Sequence, residues 1–86
     1  MIDKKLTFMA SDDLEAQEAL NELRERYGDC GVDEASVVVA LGGDGFMLQT
    51  LKDVSTKNVS VYGMNKGTVG FLMNTFNIEK LEERIH

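Results

Sequence analysis

Apolar and polar positions fall into blocks along this chain, and the period of each block predicts an element. Residues 6–9, LTFM, form a short β-leaning run. Ser11, Asp12 and Asp13 then supply N-cap oxygens, and Asp12 with Glu15 three residues later fits a capping box. Ala16, Leu20, Leu23 and Tyr27 recur at helical spacing, and Gly28 stands where a left-handed C-cap would stop that helix. Glu15, Glu18, Glu22 and Glu25 fall on its solvent side. After a polar connection over 29–36, Val37–Leu41 is apolar at every position and β-branched at three, as a strand covered on both faces requires.

The sequence GGDG follows at once. Met47, Leu48, Leu51 and Val54 then have helical spacing and predict a second helix. Polar residues over 52–60 end it, and VSVYGM at 59–64 reads as the third strand. Residues 65–74 read as a loop holding Gly67 and Gly70. Asn77 can cap a last helix whose apolar side is Ile78, Leu81 and Ile85. The order β-α-β-α-β-α predicts an α/β fold, a Rossmann-like three-stranded parallel sheet in one domain over 1–86. Such sheets bind ligands beyond the carboxyl ends of their strands, where both glycine loops, 42–45 and 65–70, must lie.

Composition acts mainly by exclusion. A chain of 86 residues buries only about 60–65% of its unfolded surface. With a net charge of −6, a pI near 4.6 and nine scattered basic residues, neither nucleic acid nor an anionic membrane is a partner by charge. No apolar run is long enough to span a bilayer, and the N-terminus lacks a signal peptide's apolar core. Cys30 and His86 are the only residues of their kinds, which excludes an internal disulfide and a thiolate- or imidazole-rich zinc cluster. The expected setting is the reducing cytoplasm. Proline is absent, a mild sign of an edited sequence.

The chemistry concentrates in GGDG. Consecutive glycines expose backbone N–H groups, and the helix beginning near Gly45 adds the positive end of its dipole, so the loop attracts phosphate. It is not a P-loop, because no lysine followed by serine or threonine comes after Gly42 or Gly45. It is not the dinucleotide fingerprint either, because Gly43 and Gly45 fit but Leu48 stands in the third glycine's place. Asp44 would repel a bare phosphate. It can instead hold a metal ion that bridges phosphates, accept the proton of a hydroxyl attacking phosphorus, or act as an acidic helix cap.

LGGDGFML at 41–48, followed by YGMNKGTVGFLMN at 62–74, closely resembles the NAD kinases, the bacterial type above all. GGDG is shared with lipid kinases and phosphofructokinase-like relatives; Asn65, Gly67, Gly70, Phe71 and Leu72 make the second motif the more diagnostic one. The resemblance covers essentially the whole chain. It implies phosphoryl transfer from ATP, with Mg2+ or another divalent cation, to the 2′-hydroxyl of the adenosine ribose of NAD, giving NADP. It makes Asp44 the proton acceptor and a nucleotide contact. Gly45 adjoins the nucleotide, Gly42 and Gly43 shape the loop, Asn65 orients the second loop, and Phe71 packs near an adenine. Members of the family are several times longer and add a β-rich domain with an Asn-Glu motif and much of the ATP site. Ser60 stands where the family often has proline, and Lys66 where bacterial members often have arginine. The expectation is therefore the N-terminal α/β domain of an NAD kinase, inactive by itself. The alternative is an excised or redesigned non-catalytic α/β domain that serves folding or assembly. A homo-oligomer is also expected, formed through the surface meant for the absent domain or through an open sheet edge.

Overall fold

The computed structural model describes residues 5–31, 33–65 and 74–75. In chain order they form β1 (Leu6–Ala10), α1 (Leu14–Tyr27), β2 (Val37–Leu41), α2 (Asp44–Asp53), β3 (Ser60–Asn65) and β4 (Asn74–Thr75). All pairings are parallel, and the strands lie in the order β1-β2-β3-β4. The predicted three-stranded parallel sheet is present, with one addition. Asn74 closes the stretch read as a loop by starting a two-residue strand: it pairs with Met64, and its Nδ2 donates to the Gly63 carbonyl at 3.0 Å.

Alternation along the strands assigns the core. Leu6, Phe8, Val37, Val39, Leu41 and Met64 pack with Ala16, Ala19, Leu20 and Leu23 of α1. On the opposite face Ala40 meets Met47 of α2, with Phe46 and Val61 beside them. β2 is buried at all five positions because a helix covers each of its faces. That is why its sequence is a continuous apolar run rather than an alternating one.

The helices depart from the sequence reading in two places. The N-cap of α1 is Asp13, not Asp12: Asp13 has extended backbone, and its carboxylate accepts from the Ala16 N–H at 3.1 Å. Glu15 is therefore a first-turn acid, without the Asp12 capping box. In α2 the buried positions are Met47 and Thr50, followed by Val54 just beyond the helix, while Leu48 and Leu51 are 58% and 41% exposed. Thr50 can take an inner position because its hydroxyl donates to the Phe46 carbonyl at 2.9 Å, leaving no unsatisfied polar atom.

Gly28 ends α1 where the sequence places the stop, but with φ 76° and ψ 174° it is not the left-handed cap expected there; its positive φ suits glycine, and its N–H donates to the Arg24 carbonyl at 2.9 Å. The turn after it fastens the outer edge of β1. The Cys30 N–H donates to the Leu6 carbonyl at 3.1 Å, and the Asp29 carboxylate accepts from the Thr7 hydroxyl at 2.7 Å and the Phe8 N–H at 3.4 Å. The other edge of the three long strands carries β4. Gly67, Gly70, Phe71 and the last helix expected from Asn77 onward lie outside the described residues. Among the described residues no helix is long and apolar enough to cross a membrane.

Candidate functional site

Ala10, Leu41 and Met64 stand in register at the carboxyl ends of β1, β2 and β3. Ser11, Gly42 and Asn65 follow them, so three chain segments leave the sheet along one edge. Two hydrogen bonds extend the ladder there: Ser11 N–H to the Leu41 carbonyl at 2.9 Å, and Gly42 N–H to the Met64 carbonyl at 3.1 Å. The GGDG loop is thus tied to both neighbouring strands before the chain turns into α2.

Its glycines have different reasons to be glycine. Gly42 is buried, and a Cβ there would lie 2.9 Å from Ser11 Oγ, 3.1 Å from Phe46 Cβ and 3.2 Å from Phe46 Cδ2. The fold itself leaves no room for a side chain. Gly43 and Gly45 are exposed, and a Cβ on either would meet nothing within 4 Å. Gly43 has φ −94° and ψ −173°, open to any residue, and Gly45 is helical. Neither packing nor backbone conformation requires glycine at these two positions. Their bare backbone is useful to a molecule that comes close from outside the domain.

Gly43 is the N-cap of α2, with no side-chain capping bond, and its carbonyl accepts from the Met47 N–H at 3.0 Å. Asp44 is the first helical residue and half-buried. The capping role considered for it thus belongs by position to Gly43. Asp44 has the favourable placement of a carboxylate in a helix's first turn. The first-turn amides of α2 have no partner within the helix and open toward the same edge. Asn65 is the half-buried last residue of β3, opposite Thr75. Phe71 lies outside the described residues.

The sequence reading treated Ser11 and Asp13 as capping residues only, yet they border this site. The Ser11 hydroxyl donates to the Asp13 carboxylate. That bond, with the one from the Ala16 N–H, holds the Asp13 carboxyl below the usual carboxylate range. The available signal was position, since every loop after a parallel strand opens on the same edge. Among the described residues no group of three or more His, Cys, Asp or Glu could hold a metal ion. One carboxylate, Asp44, is a donor set that suits magnesium carried mainly by phosphates and water rather than a protein-built cage.

A parallel sheet with helices on both faces and a glycine-rich strand-to-helix turn at its carboxyl edge defines a Rossmann-like α/β domain. The profile of the ATP-NAD kinase N-terminal domain matches residues 3–86, and the chain belongs to that family. It is 53% identical over 85 residues to an NAD kinase of Cereibacter sphaeroides, covering 99% of this chain and 34% of that protein. It is 56% identical over 80 residues to an NAD kinase of Mesorhizobium japonicum (93% of this chain, 31% of the relative) and 52% over 82 residues to one of Caulobacter vibrioides (95% and 32%). The chain thus spans about a third of the length of these relatives.

Proposed function

We propose that this domain supplies the GGDG wall of an active site that transfers the terminal phosphoryl group of ATP to the 2′-hydroxyl of the adenosine ribose of NAD, yielding NADP and ADP. The observation that carries this reading is Asp44 in the first turn of α2, between two glycines whose missing side chains the fold does not require. In the reaction the ribose oxygen forms a bond to the γ-phosphorus, the bond from that phosphorus to the ADP oxygen breaks, and the hydroxyl proton passes to the Asp44 carboxylate. Gly43 and Gly45 let the nucleotide approach the backbone, Gly42 fixes the loop, Asn65 orients the second loop, and Phe71 packs against adenine. A divalent cation, Mg2+ or another, would be carried mainly by the phosphates and water and would offset phosphate charge. Phosphoryl transfer depends on positioning both substrates, so the remaining two-thirds of the enzyme is needed for turnover. The proposed setting is the cytoplasm, and the proposed state of the chain by itself is a homo-oligomer.

Asp44→Asn in the full-length enzyme carrying this domain tests the assignment. Turnover should fall by about 10²–10⁴, the range for loss of a general base, with a much smaller change in nucleotide affinity. Near-normal turnover would reduce Asp44 to a first-turn acid.

A further inference from the structure

Ser11 lies outside GGDG, yet four contacts converge on it. Its N–H donates to the Leu41 carbonyl at 2.9 Å, immediately before Gly42. Its carbonyl accepts from Gln17 Nε2 at 2.9 Å. Its hydroxyl donates to Asp13, the residue that caps α1. The same hydroxyl oxygen lies 2.9 Å from the point a Cβ would occupy on Gly42, in a gap otherwise bounded by the Phe46 side chain. α1 therefore holds Ser11 at both its hydroxyl and its carbonyl, and Ser11 in turn abuts the first glycine of the loop.

From this geometry we infer that Ser11 is a positioning residue for the GGDG loop, and through it for Asp44. The inference rests on the reading of that loop as the site of phosphoryl transfer. The mechanism is steric and directional. The loop has no side chain of its own at Gly42 with which to set its distance from β1; the Ser11 hydroxyl sets it from the other side. Asp13 and Gln17 keep that hydroxyl from rotating or withdrawing. Asp44 is two residues further on, at the start of a helix whose first turn also carries Phe46, the second wall of the same gap. Moving the Ser11 oxygen moves the packing that fixes where α2 begins. A catalytic group misplaced by about 1 Å can lose 10²-fold in rate, so small displacements here have large effects.

The test uses the 86-residue chain and an enzyme in which it replaces the matching third of the Cereibacter sphaeroides NAD kinase. In the chain, Ser11→Ala should shift the amide signals of Gly42, Gly43 and Asp44 and raise about tenfold, through local opening, the hydrogen exchange of Gly42 and Met47, whose N–H groups are bonded to the Met64 and Gly43 carbonyls, while the Gly28 to Gly31 turn is unmoved. In the enzyme, the same variant should lower kcat about tenfold or more while KM for NAD stays within about twofold, the signature of misplacement rather than lost binding. Gly42→Ala should lower kcat further, and adding Ser11→Gly should restore part of it, because the 2.9 Å contact with the hydroxyl is relieved while the Phe46 contacts and the φ of 159° remain. A residue that merely supports the fold would give no such rescue. Unchanged exchange at Gly42 and Met47 in Ser11→Ala overturns the inference, as does an unchanged kcat in that variant. Activity retained in Asp44→Asn would instead remove the reading of the loop as the reaction site, leaving the Ser11 contact to stand or fall on the exchange data.

Discussion

At the scale of single residues, the three glycines of GGDG separate fold from function. Gly42→Ala places a methyl against Ser11 Oγ and Phe46 Cβ at 2.9 and 3.1 Å, and overpacking of this kind costs about 1–3 kcal/mol. Gly45→Ala meets nothing within 4 Å inside α2, and replacing a helical glycine stabilises by about 0.5–1 kcal/mol. Gly43→Ala should leave the melting midpoint in place. In the full-length enzyme both Gly43→Ala and Gly45→Ala should weaken nucleotide binding. Paired melts and NAD titrations check this, and unweakened binding in both variants would mean that nothing approaches the backbone there. Asp29 gives a second prediction. Burial pushes its carboxyl up, but bonds from Thr7, Gly31, Arg24 and Phe8 outweigh that and hold it below its usual range. Its side chain is 17% exposed although its backbone lies open. The unfolded chain takes up this proton near pH 4 and the folded one at lower pH. The stabilisation is therefore complete above about pH 4–5 and is lost as pH falls through the folded value. The thermal midpoint should be flat from about pH 7 to 5 and drop below about pH 4, and Asp29→Asn should make that drop shallower. An identical acid limb in the variant would show that the Asp29 clamp does not carry the effect.

At the scale of elements, legibility followed how strongly each residue type constrains its neighbours. β2 was plain because a strand covered on both faces admits only apolar residues, and α1 because its stripe runs through Ala16, Leu20 and Leu23 to a glycine stop. α2 was only half legible. Its apolar residues share one arc, and threonine gave no sign that the buried face is turned toward Thr50, whose hydroxyl is satisfied inside by the Phe46 carbonyl. The cap of α1 was missed by one residue because Asp12 and Asp13 are chemically alike and only backbone geometry separates them. β4 has two residues, too few for any period to show. The structure also redirects the expectation about assembly. The β1 edge is engaged at Leu6 and Phe8 by Cys30 and Asp29, and β4 pairs with the last two residues of β3, which narrows the edge open to strand pairing between copies. Leu48 and Leu51 instead leave apolar surface on α2. Fully burying a leucine is worth about 1.5–3 kcal/mol, and these two are partly covered already, so the contact is weak against the cost of association. Light scattering should show a dimer fraction that grows only toward about millimolar chain, where a contact worth about 4 kcal/mol is half formed. Leu48→Glu should return the monomer mass at every concentration; a wild-type chain monomeric throughout would defeat this route.

At the scale of the whole molecule, the candidate site is an open edge of the sheet. The described residues enclose no pocket, and the chain spans 34% of the Cereibacter sphaeroides enzyme it matches. What this third can offer a nucleotide is backbone: the loop over 42–45, the first turn of α2, and the end of β3 at Asn65. Such contacts are shallow, and water competes for every one of them. A ligand lying on an open edge buries little of its surface, whereas sites that hold small molecules firmly bury about 70–90% of it. Binding must also offset several kcal/mol of lost translation and rotation before any affinity appears. The chain by itself should therefore bind NAD with a Kd on the order of 1 mM or weaker, corresponding to about 4 kcal/mol or less. Backbone NMR during an NAD titration checks both strength and place. The shifts should centre on Gly42 to Phe46 and on Asn65 and the second motif, with the Asp29 turn at the far end of α1 unmoved. Adding the remaining two-thirds of a relative should tighten binding, because it closes the cleft over the same residues. Micromolar affinity in the chain alone would show that this wall suffices for recognition. Shifts spread evenly over the surface would show that the carboxyl edge of the sheet is not where the nucleotide rests.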